Sequence, residues 1–223
     1  VLCRTIDDPN TLTSIIENSV YINLNNAKIL CEKFWMQENK NHIPLGYNLT
    51  NGRIEKLQIG NKNRFLILGM PGSGKKTLLA HLTEGLWMQE KNVMVYDSKR
   101  TLNQIKEKER LQIISRWEEL QEWIEELFAE SVNGKKEEEE CLLIIDMVDF
   151  VKKLYQNREN TKLHKRWEEE AAGGGRIAFM AGGCATDVDY EIQGTVFFRE
   201  FISRQQGICL GGNVGNQRIF SFD

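Results

Sequence analysis

The sequence predicts an α/β fold in which a mostly parallel central sheet is flanked by helices, with a small N-terminal lead-in. Short continuous apolar runs alternate with helical patterns, the signature of βα units around strands buried on both faces. The first strong run opens into a glycine-rich loop and then a helix, the chain order of a phosphate-binding unit. Composition allows such a core: of 223 residues 41% are hydrophobic, 27% are charged and three are proline, unlike a disordered chain. At roughly 150 residues per domain the length amounts to about 1.5 domains. The expected division is a lead-in over residues 1–60, packed on the core, and one main domain over 61–223.

In the lead-in, Leu12 to Asn18 and Ala27 to Trp35 predict short helices. Ile43-Pro44-Leu45-Gly46-Tyr47 and Arg53 to Ile59, on either side of Asn51-Gly52, predict a hairpin. Buried strands are expected at Phe65–Leu68, Val93–Tyr96, Leu142–Ile145, Ile177–Met180 and Ile208–Leu210. Between the second and third of these, Ile113, Trp117, Leu120, Ile124, Leu127 and Phe128 recur at helical spacing, with glutamates on the other side. That pattern predicts an amphipathic helix whose aromatic stripe is core. Gly134 ends it, and Lys135-Lys136-Glu137-Glu138-Glu139-Glu140 reads as a solvated loop running into the next strand.

After Phe65–Leu68 come Gly69-Met70-Pro71-Gly72-Ser73-Gly74-Lys75-Lys76-Thr77 and then the helical Leu78-Leu79-Ala80-His81-Leu82. This is G-x-x-x-x-G-K between a strand and a helix, a P-loop. Glycines at 69, 72 and 74, with Pro71 and Ser73 completing the loop, let the backbone curl so that successive N–H groups face inward. The following helix then presents its positive N-terminal end to the phosphates. Lys75 is the residue expected to reach the β- and γ-phosphates of ATP. The next position departs from the motif, because the Ser or Thr whose hydroxyl holds Mg²⁺ is replaced by Lys76. Thr77 cannot simply substitute, since one residue along a helix is a rotation of about 100°.

Asp146 closes the run Leu142-Leu143-Ile144-Ile145, which fits the second half of a nucleotide site: a carboxylate at a strand's C-terminal edge, facing Mg²⁺. Lys75 and Asp146 are therefore the expected catalytic pair. In P-loop ATPases with an added strand between the two motifs, the next residue is usually a Glu that activates water. Here it is Met147, and a thioether accepts no proton. Asp149 is read as capping or solvating the next helix, the alternative being that it reaches into the site. Where motor ATPases place a polar sensor, the chain reads Ala181-Gly182-Gly183-Cys184-Ala185-Thr186, with Thr186 as the candidate. The motifs thus imply ATP and Mg²⁺ at degenerate Walker motifs, with hydrolysis weak or absent. Lys76→Thr with Met147→Glu is expected to recover affinity or turnover.

Over about residues 40 to 223 the chain resembles the FtsK/SpoIIIE-type ATPase domains, and within them the EssC/EccC coupling ATPases of type VII secretion. The resemblance rests on Ile43–Tyr47 leading into the P-loop strand, on Gly69 to Thr77, on Asp97 ending the second strand and on Leu142 to Asp146. It rests most on the close of the chain, Arg199 to Gly212 and Asn216-Gln217-Arg218-Ile219-Phe220, which is similar to the end of the last, degenerate ATPase domain in such proteins. The resemblance implies a RecA-like P-loop NTPase fold and a role in protein transport. It implies small helical WXG-type secretion substrates as partners, together with other ATPase domains of the same chain and a membrane-anchored secretion complex. The implied location is the cytoplasmic side of the cell membrane.

Other readings are narrowed by charge and hydropathy. A net charge of −3, from 29 basic and 32 acidic residues, argues against nucleic acid as a partner. The FtsK-like DNA translocase alternative leans only on Lys99, Arg100, Lys106, Lys108 and Arg110, interleaved with Glu107 and Glu109. A further alternative is an active ATPase awaiting a neighbour's arginine finger; Arg199 or Arg204 could serve a neighbour so, against a reading as surface charges. No apolar run approaches the ~18 residues of a membrane span, and the first residues do not resemble a signal peptide. The absent initiator Met suggests a module cut from something longer. Cysteines at 3, 31, 141, 184 and 209 lack metal or redox spacing and read as reduced thiols, with Cys141 and Cys209 packed in apolar runs.

Overall fold

The computed structural model describes residues 41–47, 54–60, 63–102, 105–132, 140–156, 161–172, 177–203 and 206–210. The chain divides into two compact units, Val1–Gln58 and Ile59–Asp223. In the first, β1 (His42–Tyr47) and β2 (Ile54–Gln58) pair antiparallel, as the sequence predicts. Their register shifts between Pro44 and Gly46, where proline offers no N–H to the ladder. The helices predicted before residue 40, the Asn51-Gly52 turn, the Lys135–Glu139 loop, Arg204 and the segment from Gly211 on lie outside the described residues.

The second unit is built on six strands: β3 (Arg64–Gly69), β4 (Asn92–Tyr96), β5 (Leu111–Ile114), β6 (Glu140–Ile144), β7 (Ile177–Gly183) and β8 (Gln206–Leu210). All pair parallel, in the order β5-β4-β6-β7-β3-β8. Among the described residues six helices complete it: α1 (Lys75–Met88), α2 (Trp117–Val132), α3 (Met147–Gln156), α4 (Thr161–Ala171), α5 (Ala185–Glu191) and α6 (Val196–Ile202). The five predicted strand runs all fall within or at the ends of strands. β7 separates the P-loop strand β3 from the Asp146 strand β6, the added strand of this class of P-loop sheet.

One prediction needs correction. Ile113 does not open the amphipathic helix; Leu111–Ile114 is the edge strand β5, and α2 begins at Trp117. The Val93 N–H donates to the Arg110 carbonyl at 2.8 Å and the Asp97 N–H to the Ile114 carbonyl at 2.9 Å, which draws the segment onto β4. A turn closed by the Lys108–Leu111 bridge, with Arg110 at φ +64, feeds it there. The adjacent pair Ile113-Ile114 suits a strand better than a helix.

The core is aromatic around α3. The Phe150 ring lies 5.2 Å from Trp167 and from Phe197, and 5.5 Å from Trp117, so α2, α4 and α6 meet on one side chain. At the opposite end of β3 from the P-loop, Arg64 is fully buried. Its guanidinium donates to the carbonyls of Ala171 at 2.9 Å and Ile177 at 2.8 Å and to that of Glu170, and lies 4.7 Å over the Phe179 ring. One side chain thus closes the C-terminal end of α4 and ties it to the first residue of β7.

Candidate functional site

In a parallel sheet the strand C-termini converge, and the crevice beyond them is where ligands sit. Register fixes which residues meet there: Leu68 lies opposite Gly183, Ile144 opposite Ala181, and Tyr96 opposite Ile144. The residues just past these points are Gly69, Cys184, Asp146 and Asp97. A cavity of about 220 Å³ opens among them, lined by Lys75, Lys76, Lys99, Asp97, Asp146 and Asp187 and by smaller and apolar groups. That is below the roughly 300 Å³ at which whole-ligand pockets begin, and it suits a phosphate chain.

Two of the loop glycines take backbone angles that favour glycine, and the Ser73 N–H donates to the Met70 carbonyl at 3.2 Å. Gly72 and Gly74 adopt φ +80 and +91, which an L side chain resists. Gly69 is needed for space, since a Cβ there would stand 2.4 Å from Ser73 Oγ and 2.6 Å from the Leu210 carbonyl. Gly74 caps α1, and its carbonyl accepts from the Leu78 N–H at 3.0 Å. Lys75 Nζ donates to the carbonyls of Gly69 at 2.5 Å and Met70 at 2.8 Å. Burial holds its pKa below the ordinary lysine value, opposed by nearby Cys184 and Asp187.

Asp146 is already engaged. Lys99 Nζ sits 2.6 Å from Oδ2, and the Asp149 N–H donates to Oδ1 at 3.2 Å, so the carboxylate also starts α3. The hydrogen bond to Asp146 raises the Lys99 pKa above its ordinary value. Lys76 lines the cavity where the motif has a hydroxyl, and Thr77 is exposed and absent from the lining. Mg²⁺ takes oxygen ligands in a near-octahedral shell. Two ammonium groups, beside a carboxylate that already accepts from Lys99 and from the Asp149 N–H, do not fit it. Among the described residues no group of three or more His, Cys, Asp or Glu is placed to hold a metal ion.

Met147, Asp149, Thr186 and Arg199 do not line the cavity. Met147, at the position usually held by the water-activating Glu, is fully buried in the core and does not line the cavity. Asp149 lies 3.4 Å from Lys153 and does not line the cavity. Thr186 is exposed and donates to Asp187 at 3.1 Å. Arg199 is exposed on α6. Of the basic cluster, Lys108 stacks 3.8 Å over the Trp87 ring, Arg110 donates to the Glu90 carbonyl at 3.3 Å and Arg100 to Ser115 at 3.3 Å. Those three cations are held against the fold, while Lys99 of the same cluster lines the cavity. Cys141 is buried, and Cys184 and Cys209 are half-buried free thiols.

The cavity also contains residues that sequence reasoning had not assigned to it. Asp187 and Cys184 enter from the start of α5, and Lys99 enters from the turn after β4. The available signal was positional: Lys99 follows Asp97 by two residues at the end of a parallel strand, where ligand-facing groups collect.

No protein-family model and no curated protein sequence matches the chain. Solved structures do. EssC (ATPases 2 and 3) from Geobacillus thermodenitrificans is similar at TM-score 0.65 and 13% identity, over 87% of this chain and 38% of that one. The cytoplasmic domain of EssC is similar at TM-score 0.66 and 12% identity, over 96% and 45%. Thermomonospora curvata EccC (ATPases 2 and 3), in complex with a signal sequence peptide, is similar at TM-score 0.62 and 13% identity, over 80% and 35%. The chain spans less than half the length of each of these. Among the described residues no helix is long and apolar enough to cross a membrane. The strand order, the loop and these likenesses together show that the chain has the P-loop ATPase fold of the EssC and EccC type VII secretion ATPase domains.

Proposed function

We propose that the chain is an ATPase domain of a type VII secretion coupling protein with a degenerate nucleotide site. It binds ATP, hydrolyses it weakly or not at all, and serves substrate recognition and structural coupling in protein export. The observation behind this reading is a division of labour in the pocket. The parts made of backbone keep the form that cradles phosphate, with Gly72 and Gly74 at φ +80 and +91. The parts that need one particular side chain are committed elsewhere, Asp146 to Lys99 and Met147 to the core. On this reading Gly69, Pro71, Gly72, Ser73, Gly74, Lys75, Lys76 and Thr77 hold the nucleotide, and residues 61–223 form the domain that residues 1–60 lead into.

The likeness to EssC and EccC domains supports the type VII assignment, and the EccC structure with a signal sequence peptide supports a peptide-receiving role. The partners are small helical WXG-type substrates, recognised through C-terminal signals, and other ATPase domains of the same chain. The domain works at the cytoplasmic side of the membrane within an anchored complex. Calorimetric titration of the 223-residue chain with ATP, paired with a phosphate-release assay, tests the reading. Binding that Lys75→Ala abolishes, with turnover below about 1 s⁻¹, is expected. Faster turnover, or no binding, overturns it.

A further inference from the structure

We propose that the Lys99 ammonium takes the place of a divalent cation in this pocket, bridging Asp146 to the phosphate oxygens of ATP so that nucleotide binds without metal. The inference rests on the nucleotide-binding reading above and goes beyond it in naming the counter-ion. In metal-using P-loop sites the cation links a strand-end carboxylate to the β- and γ-phosphates. The same carboxylate here holds a cation that belongs to the chain, Lys99 Nζ at 2.6 Å from Asp146 Oδ2. An ammonium carries three donors and no acceptor. One N–H on Asp146 leaves two for an incoming anion.

Placement and rigidity both support the bridge. Lys99 lines the same cavity as Lys75 and Lys76, and its side chain is 62% exposed, so an anion entering the cavity meets it. Its backbone is held by a built turn. Asp97, only 2% exposed, accepts from the Thr101 N–H at 2.6 Å, the Leu102 N–H at 2.8 Å and the Thr101 hydroxyl at 3.1 Å. The Arg100 N–H donates to the Asp97 carbonyl at 3.0 Å. The lysines at 75, 76 and 99 and the carboxylates at 97, 146 and 187 line the same cavity. Without Lys99 that balance turns acidic, and Asp146 confronts the phosphates as a like charge. Lys76, in the place of the metal-binding hydroxyl, acts in the same direction by repelling a second cation.

The test is calorimetric titration of the 223-residue chain with ATP, once in excess EDTA and once in excess Mg²⁺. The two affinities are expected to agree within roughly threefold. Lys99→Ala should weaken binding in EDTA by roughly 10- to 100-fold, the worth of a charge-assisted hydrogen bond. It should also make binding Mg²⁺-dependent, because Asp146 is then free for the metal. Adding Asp146→Asn to Lys99→Ala should recover much of the EDTA affinity, and Lys99→Arg should retain it. Matched thermal unfolding controls for folding, and the exposed side chain should leave it unchanged. An unmodified chain that needs Mg²⁺, or a Lys99→Ala chain that binds in EDTA as tightly as the unmodified one, overturns the bridge and leaves nucleotide binding standing. No binding in either buffer overturns both readings.

Discussion

Replacing Met147 by glutamate is the substitution that motif logic recommends and the structure advises against. Position 147 follows Asp146 directly, where related ATPases carry the acid that activates water, so sequence alone makes Met147→Glu a restoration. In the fold Met147 is fully buried among core side chains, and an added Cβ on Gly183 would lie 4.0 Å from its own Cβ. Losing the buried thioether costs roughly 1.5–3 kcal/mol, and burying a carboxyl without partners costs about 1–3 kcal/mol more even when it is protonated. Burial raises that acid's folded pKa above its unfolded value of about 4.3. The unfolded chain then releases the proton first, and stability falls by roughly 1.4 kcal/mol for each pH unit between the two values. Set against the ~5–15 kcal/mol of a typical domain, the variant should fold near pH 5 and be largely unfolded near pH 8. Urea titrations of variant and parent at both pH values, followed by tryptophan fluorescence, measure this. A variant within about 1 kcal/mol of the parent at pH 8, gaining ATP turnover, would mean that position 147 faces the phosphates and would refute the placement of α3.

Three further perturbations probe the site and its support. Gly74→Ala should cost about 1–2 kcal/mol from its positive φ alone, since nothing lies within 4 Å of the new Cβ. Gly69→Ala should cost more, through its clashes with Ser73 Oγ and the Leu210 carbonyl; equal losses in urea would refute the distinction. Arg64→Met should lower stability by about 3–5 kcal/mol, because buried carbonyls at the end of α4 and the start of β7 lose their donor, and a loss under 1 kcal/mol would count against the clamp. Tyr155 donates to Glu168 at 2.6 Å and accepts from the Phe197 N–H at 3.0 Å, and burial pushes its pKa up to about 12. The unfolded chain therefore deprotonates it first, and stability should fall as pH rises from about 10 towards 12. In alkaline unfolding curves Tyr155→Phe should flatten that part of the decline.

The fold was legible where a signal is carried by several neighbouring residues. Phe65–Leu68 and Leu142–Ile145 read as strands because four apolar residues in a row leave no solvent face, and the P-loop reads from glycines whose positive φ the backbone requires. β5 was missed because its apolar residues, Leu111, Ile113 and Ile114, run into the stripe of α2 at nearly helical spacing. Only the ladder to β4 separates the two elements, and that ladder is a long-range pairing. Arg64 was missed for the same reason: the carbonyls of Glu170, Ala171 and Ile177 that it clamps lie 106 to 113 residues away, and nothing in the neighbouring sequence marks it as buried. In the site, Asp146 was legible as a strand-end carboxylate. Its partner Lys99, 47 residues away, looked like one charge in a basic run.

On the proposed reading, the same contrast explains which parts of a nucleotide site the chain keeps. A phosphate cradle made of backbone N–H groups depends on the chain path, and many sequences preserve a path so long as the loop glycines remain. Metal binding and water activation each depend on one side chain with one orientation, so a single substitution removes either. On the proposed reading, with Lys76 in place of the metal-binding hydroxyl, a bare Asp146 beside incoming phosphates is a liability, and a cation supplied by the chain removes it. Lys99 on its Asp97-anchored turn meets that need. The retained loop, the lost hydroxyl and the Lys99–Asp146 pair are then one arrangement, and the comparison of ATP binding in EDTA and in Mg²⁺ bears on all three together.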